Sequence, residues 1–181
     1  MLSHVAEVHR IRVFVVPDAA LQGDPPLGAN NPATPRHLDL AQNHVMRNAP
    51  DLVDDVQAII VVGDKAATFL NRRLVRHEYA ILEAAIRVFT ESDVVEWVSE
   101  DAFTIVSTEK AERPIWYQPG TPENPFHAGP PFDSISGSDN RYRARSSTTR
   151  KEANGQQYKV SIRIGNRLID PDYVCGNPPP P

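Results

Sequence analysis

The sequence predicts an α+β protein: an N-terminal α/β unit over residues 1–112, then a C-terminal β-rich, sandwich-like unit over residues 113–181. Three observations predict it. Strand-like and helix-like apolar periods alternate up to residue 112. From Arg113 the run RPIWYQPGTPENPFHAGPPFD is rich in proline and aromatics and has no helical period. Near the end, RYRAR (141–145) and QYKVSIRIG (157–165) alternate apolar and polar residues with the period of two of a half-buried strand.

Taken in order, residues 10–16 read as a strand. Ile11, Val13 and Val15 alternate with Arg10 and Arg12, and Pro17 ends the run. Prolines 17, 25, 26, 32 and 35 make residues 17–36 a loop. Thr34-Pro35 then opens a helix, with threonine as cap and proline at the first helical position. That helix carries Leu38, Ala41 and Val45 and stops at Asn48-Ala49-Pro50, because a residue before proline avoids the helical region. Residues 51–74 fit helix, strand, helix, with the β-branched run Ile59–Val62 as the strand and Gly63 as the break. One continuous helical stripe also fits them. His77–Phe89 reads as an amphipathic helix through Tyr79, Ile81, Leu82, Ala85 and Ile86. Thr90 or Ser92 caps a further helix through Val94, Val95, Trp97 and Val98. Residues 102–107 read as a strand. The two alternating runs at the end, joined by a linker containing Asn154-Gly155, form a hairpin.

Charge is distributed unevenly. The net charge is -4. Yet Glu91 to Glu112 is almost wholly acidic, and Arg141 to Arg167 almost wholly basic. Such separation either steers an anionic partner or lets the two segments face each other in the fold. In the expected hairpin, Tyr142, Ala144, Tyr158, Val160, Ile162 and Ile164 line one face. Arg141, Arg143, Arg145, Lys159 and Arg163 line the other and are the candidate binding residues. Arginine suits bidentate recognition of carboxylate or phosphate.

No complete catalytic motif is present. VVGDKAA has one glycine and matches neither a dinucleotide nor a phosphate-loop pattern. His77-Glu78 lacks the second histidine of a zinc-protease helix, since residue 81 is isoleucine. The six histidines are scattered, and His37 and His44 read as solvent-facing. Asp170-Pro171-Asp172 offers too few oxygens for calcium and reads as a strand terminator. Cys175, the one cysteine, sits in a proline-bounded tail, a poor place for a nucleophile with His127 as base. No metal and no cofactor is expected.

The remaining expectations concern setting and partners. A single cysteine rules out an internal disulfide, and no stretch approaches the roughly 18 apolar residues of a membrane span. Both suit a cytoplasmic protein without membrane contact. Arginine outnumbers lysine, which together with the alanine and proline content suits a GC-rich bacterial genome. The sequence thus predicts a non-catalytic cytoplasmic interaction protein, a bacterial accessory component of a larger assembly, which binds a protein partner or itself. Two further readings stand beside it: an anion or nucleic-acid binder using the cationic hairpin face, and an enzyme whose site assembles only in the fold.

Overall fold

A computed structural model describes residues 9–16, 35–51, 56–61, 65–69, 79–82, 86–88, 91, 93–110, 120–169 and 172–175. In chain order the first elements are β1 (His9–Val16), α1 (Pro35–Asn48), β2 (Val56–Val61), β3 (Lys65–Phe69) and β4 (Tyr79–Leu82). There follow β5 (Ile86–Val88), β6 (Asp93–Ser99), β7 (Phe103–Lys110), β8 (Phe132–Asp133), β9 (Ile135–Ser136) and β10 (Tyr142–Arg145). A short 3₁₀ turn at Lys151–Ala153 precedes β11 (Gln157–Ile164), β12 (Arg167–Ile169) and β13 (Asp172–Cys175).

The strands form two sheets. The first runs β4-β3-β2-β1-β6-β10-β9, and the second runs β5-β13-β11-β7-β8, with β12 beside β11. The α+β class with an N-terminal α/β unit is therefore corrected to a β-rich fold. Both sheets draw strands from either side of residue 112.

The helix of residues 35–48 forms where the cap and stop residues place it. Where they are described, the expected helices after Gly63, over His77–Phe89 and after Ser92 are strands instead. Residues 65–69 pair antiparallel with β2, residues 79–82 with β3, and residues 86–88 run parallel to β13. Their apolar spacing fits a helix equally well, but partners from elsewhere in the chain supply the hydrogen bonds, and tertiary pairing overrides local period. The expected helix after Ser92 is β6. It lies between β1 and β10, and Val95 through Ser99 are all buried. A strand buried on both faces shows no alternation, which removes the signal that would separate it from a helix.

The sheets pack face to face. Val13 and Val15 of β1, Val95 and Trp97 of β6 and Ala144 of β10 meet Val88 of β5, Phe103 and Ile105 of β7, Val160, Ile162 and Ile164 of β11, and Tyr173 of β13. Trp97 is the largest fully buried side chain among the described residues, and its indole N–H donates to the Tyr173 hydroxyl at 2.8 Å. Phe126 and Phe132 pack around the same ring. Such aromatic contacts contribute about 0.5–1.5 kcal/mol each beyond area burial.

The first sheet is buried on its other side too, where Phe14, Val16 and Val98 have no exposed surface. Helix α1 lies against β1, β2 and β3. It lies on this outer side, because Arg141 there donates to the Asn48 carbonyl at its C-terminal end. Among the described residues no helix is long and apolar enough to cross a membrane.

The sign separation of the sequence resolves into strand pairing. The acidic stretch contains β6 and β7, and each is zipped to a basic strand in a different sheet. Glu96 of β6 is in register with Arg145 of β10, and Glu109 of β7 with Lys159 of β11. Cross-strand opposite charges of this kind add a few tenths of a kcal/mol, up to about 1.

Candidate functional site

A groove with charged and apolar walls lies where β10 meets β9. Its volume is about 500 Å³, within the range of ligand and anchor pockets. The first sheet contributes Glu96, Ile135, Ser136, Arg143, Ala144 and Arg145, and the second contributes Phe132 and Asp133. Local sequence explains the shape. Gly129 has φ +67, and a side chain there would collide with the Phe132 ring, so glycine lets the loop close over it. After Phe132-Asp133 the chain leaves the second sheet. Ser134 marks the crossing, with its N–H on the Phe103 carbonyl and its hydroxyl accepting from the Phe103 N–H. Ile135 and Ser136 then join the first sheet.

The groove is a gap in a sheet edge. Gly137 N–H donates to the Arg141 carbonyl, and Ser146 N–H donates to the Val95 carbonyl. In an antiparallel ladder alternate residues direct both backbone groups to the same neighbour. The backbone groups of 142, 144 and 146 therefore face β6, and those of 141, 143 and 145 face the β9 side. β9 pairs only with Tyr142 and Arg143. The chain returns to this edge at Ala128, whose N–H bonds the Ser147 hydroxyl. Between these two points the Arg145 backbone faces the groove, with no described strand opposite. Ile135, 75% exposed, stands on the rim.

The expected trio Arg141, Arg143 and Arg145 does share one face of β10, but its charge is largely balanced there. Arg141 bonds both Asp51 carboxylate oxygens at 3.0 Å and Asp139 at 3.2 Å. The Arg141 hydrogen bonds hold the Asp51 carboxyl below the usual carboxylate range. Arg143 donates to Asp139 at 2.8 Å. Glu96, almost wholly buried, accepts from Arg12 at 2.9 Å and from Arg145 at 3.3 Å. Arg12 is buried beside it, whereas the Arg145 side chain is 53% exposed. Arg145 is thus the most exposed member of the trio.

The expected hairpin does not form. β10 pairs with β6 and β9, while β11 pairs with β7, β12 and β13 in the other sheet. Lys159 and Arg163 consequently lie on the outer face of the second sheet, away from the three arginines. The five cations do not make one surface. The apolar faces do follow the sequence reading: Ala144, Tyr158, Val160, Ile162 and Ile164 are all buried.

His44 is not solvent-facing: its Nε2–H donates to Glu100 at 2.6 Å, and the side chain is mostly buried. Cys175 is buried beside Tyr158 and Ala153, and burial pushes its thiol up to about 12, which disfavours the thiolate. His127 lies instead beside Glu91, at 3.4 Å. Among the described residues no three candidate metal ligands converge. The 17–34 loop, Gly63-Asp64, His77-Glu78, Asp170-Pro171 and the His37 side chain lie outside the described residues.

Sequence reasoning missed Phe132, Asp133, Ile135 and Glu96. The run SISGSDN reads as a turn, and a two-residue strand carries no period. The pairing of Arg12 with Glu96 spans most of the first half of the chain and leaves no local mark. No protein-family model matches the chain, and no curated protein matches it.

Proposed function

We propose that this protein is a non-catalytic interaction protein, an accessory component of a larger assembly, and that the β9–β10 groove is its contact surface. The observation that carries this reading is the interrupted sheet edge. There an exposed isoleucine, an exposed arginine and outward-facing backbone groups surround a concave apolar floor. Interfaces combine the same kinds of group, an apolar patch with arginine and polar backbone contacts beside it. The cytoplasmic setting expected from the single cysteine belongs to the same reading.

The test is purification from the native host of wild type and of Ile135→Asp, followed by reconstitution of any co-purifying protein from pure components. The expected result is a partner that binds wild type, weakens with added salt, and is lost in Ile135→Asp at unchanged melting temperature. A reconstituted partner that binds both forms equally would place the contact surface elsewhere.

A further inference from the structure

We infer that the occupant of the groove is the same groove of a second copy of this chain, related to the first by a two-fold axis beside Ile135. The inference rests on the groove being the contact surface and names its partner.

Three features make the groove self-complementary. The first-sheet wall presents Arg145, and the second-sheet wall presents Asp133, which is exposed and accepts a hydrogen bond from the Thr104 hydroxyl at 3.1 Å. Within one chain Arg145 is paired with Glu96, not with Asp133. Ile135 stands on the rim, 75% exposed. In a two-fold interface each contact occurs twice, so Arg145 of each copy meets the second copy's Asp133. The two Ile135 side chains then pack together over the Phe132 and Ala144 floors.

Charge decides between this occupant and a strongly acidic partner. A groove of one sign repels its own copy and selects the opposite sign. Here the four lining charges sum to zero: Glu96, on the same first-sheet wall, offsets one of Arg143 and Arg145, and Asp133 on the second-sheet wall offsets the other. The groove is dipolar, with its cations on the first-sheet wall, and a two-fold axis turns such a surface onto its complement. Two-residue β9 also blunts open-ended strand addition, which favours a closed pair over a fibre.

Sedimentation velocity over a concentration series tests the inference. Wild type should show a reversible monomer–dimer equilibrium that weakens with salt. Ile135→Asp, Asp133→Arg and Arg145→Asp should each weaken it at least about tenfold. The double variant Asp133→Arg with Arg145→Asp should regain it, because the cross-copy pair is restored with its signs exchanged. Since Arg145→Asp places a carboxylate beside Glu96, Ile135→Asp provides an independent arm at an exposed position, and a melting curve verifies each fold. A wild type that stays monomeric overturns the inference, as does a dimer indifferent to Ile135→Asp. If wild type is monomeric yet a reconstituted partner still depends on Ile135, the dimer falls and the contact surface stands. If nothing depends on Ile135, both fall.

Discussion

Arg141 shows how one side chain joins two elements. Its guanidinium closes the open C-terminal end of α1 by donating to the Asn48 carbonyl at 2.8 Å, and it clamps Asp51 just beyond the helix. The last carbonyls of a helix lack partners within it, and a cation there also meets the negative end of the helix dipole. The alternation of RYRAR places Arg141 with Arg143 and Arg145 on one face and carries no mark of this structural role. With these bonds in place, Arg141→Ser should cost about 1–2 kcal/mol by denaturant titration, as expected for lost charge-assisted hydrogen bonds. Arg163→Ser, at an exposed position, should stay within about 0.5 kcal/mol. The same clamp sets an acid limit. The Asp51 carboxyl titrates lower in the folded chain than in the unfolded one, so its contribution is complete above the ordinary carboxylate pKa of about 4. It is lost as pH falls through the lower folded value. Helical circular dichroism should therefore decline on that acid side, and Arg141→Ser should flatten the decline. Cys175 gives a second check at this scale. A buried thiol shifted up to about 12 should resist iodoacetamide at neutral pH in the folded chain and react once denaturant is added, as mass spectrometry reads directly.

Among the elements, β6 teaches most about what the sequence makes legible. Strands with one wet or partly wet face could be read: β11 alternates cleanly, and β10 and the start of β7 carry enough of the pattern. Helix α1 could be read because its cap and stop residues are local. β6 could not, because β1 and β10 flank it and core lies on both faces. Its one charged interior residue, Glu96, looks in sequence like part of an exposed acidic run. In the fold it is buried and holds the equally buried Arg12. Removing one partner of a buried ion pair weakens the compensation of the other charge, at a cost of up to about 3–5 kcal/mol. Glu96→Ala should therefore be strongly destabilising. Adding Arg12→Leu should recover part of the loss, since it removes the buried cation that Glu96 balances. If Glu96→Ala melts like wild type, the pair carries no such burden. The groove was only half legible for a related reason. The alternation of RYRAR puts Arg143 and Arg145 together, but Phe132, Asp133 and Ile135 reach them only because the chain changes sheets at Ser134.

At the scale of the whole molecule, the two sheets are interleaved along the chain. The composition change near residue 112 suggests a boundary, yet β9 and β10 complete the first sheet, while β5 and β7 lie in the second with β8, β11, β12 and β13. In the second sheet β11 takes β7 from before residue 112 as one neighbour, and β12 and β13 from near the end as the others. A fragment of residues 113–181 would lose β7 from the flank of β11, and it would lose Trp97, around which Phe126, Phe132 and Tyr173 pack. A fragment of residues 1–112 would keep Trp97 but lose all three of those aromatic neighbours and the β10 edge of its sheet. Each half then exposes the face that the other should bury, and unpaired backbone groups on a buried strand add to the cost. Neither fragment should fold alone. Each should give a poorly dispersed amide spectrum and no cooperative melting, whereas the two mixed or co-expressed should recover both. A dispersed, cooperatively melting fragment of residues 113–181 would instead establish a boundary at 112, and the β6–β10 and β7–β11 pairings would then be an interface between two independent units.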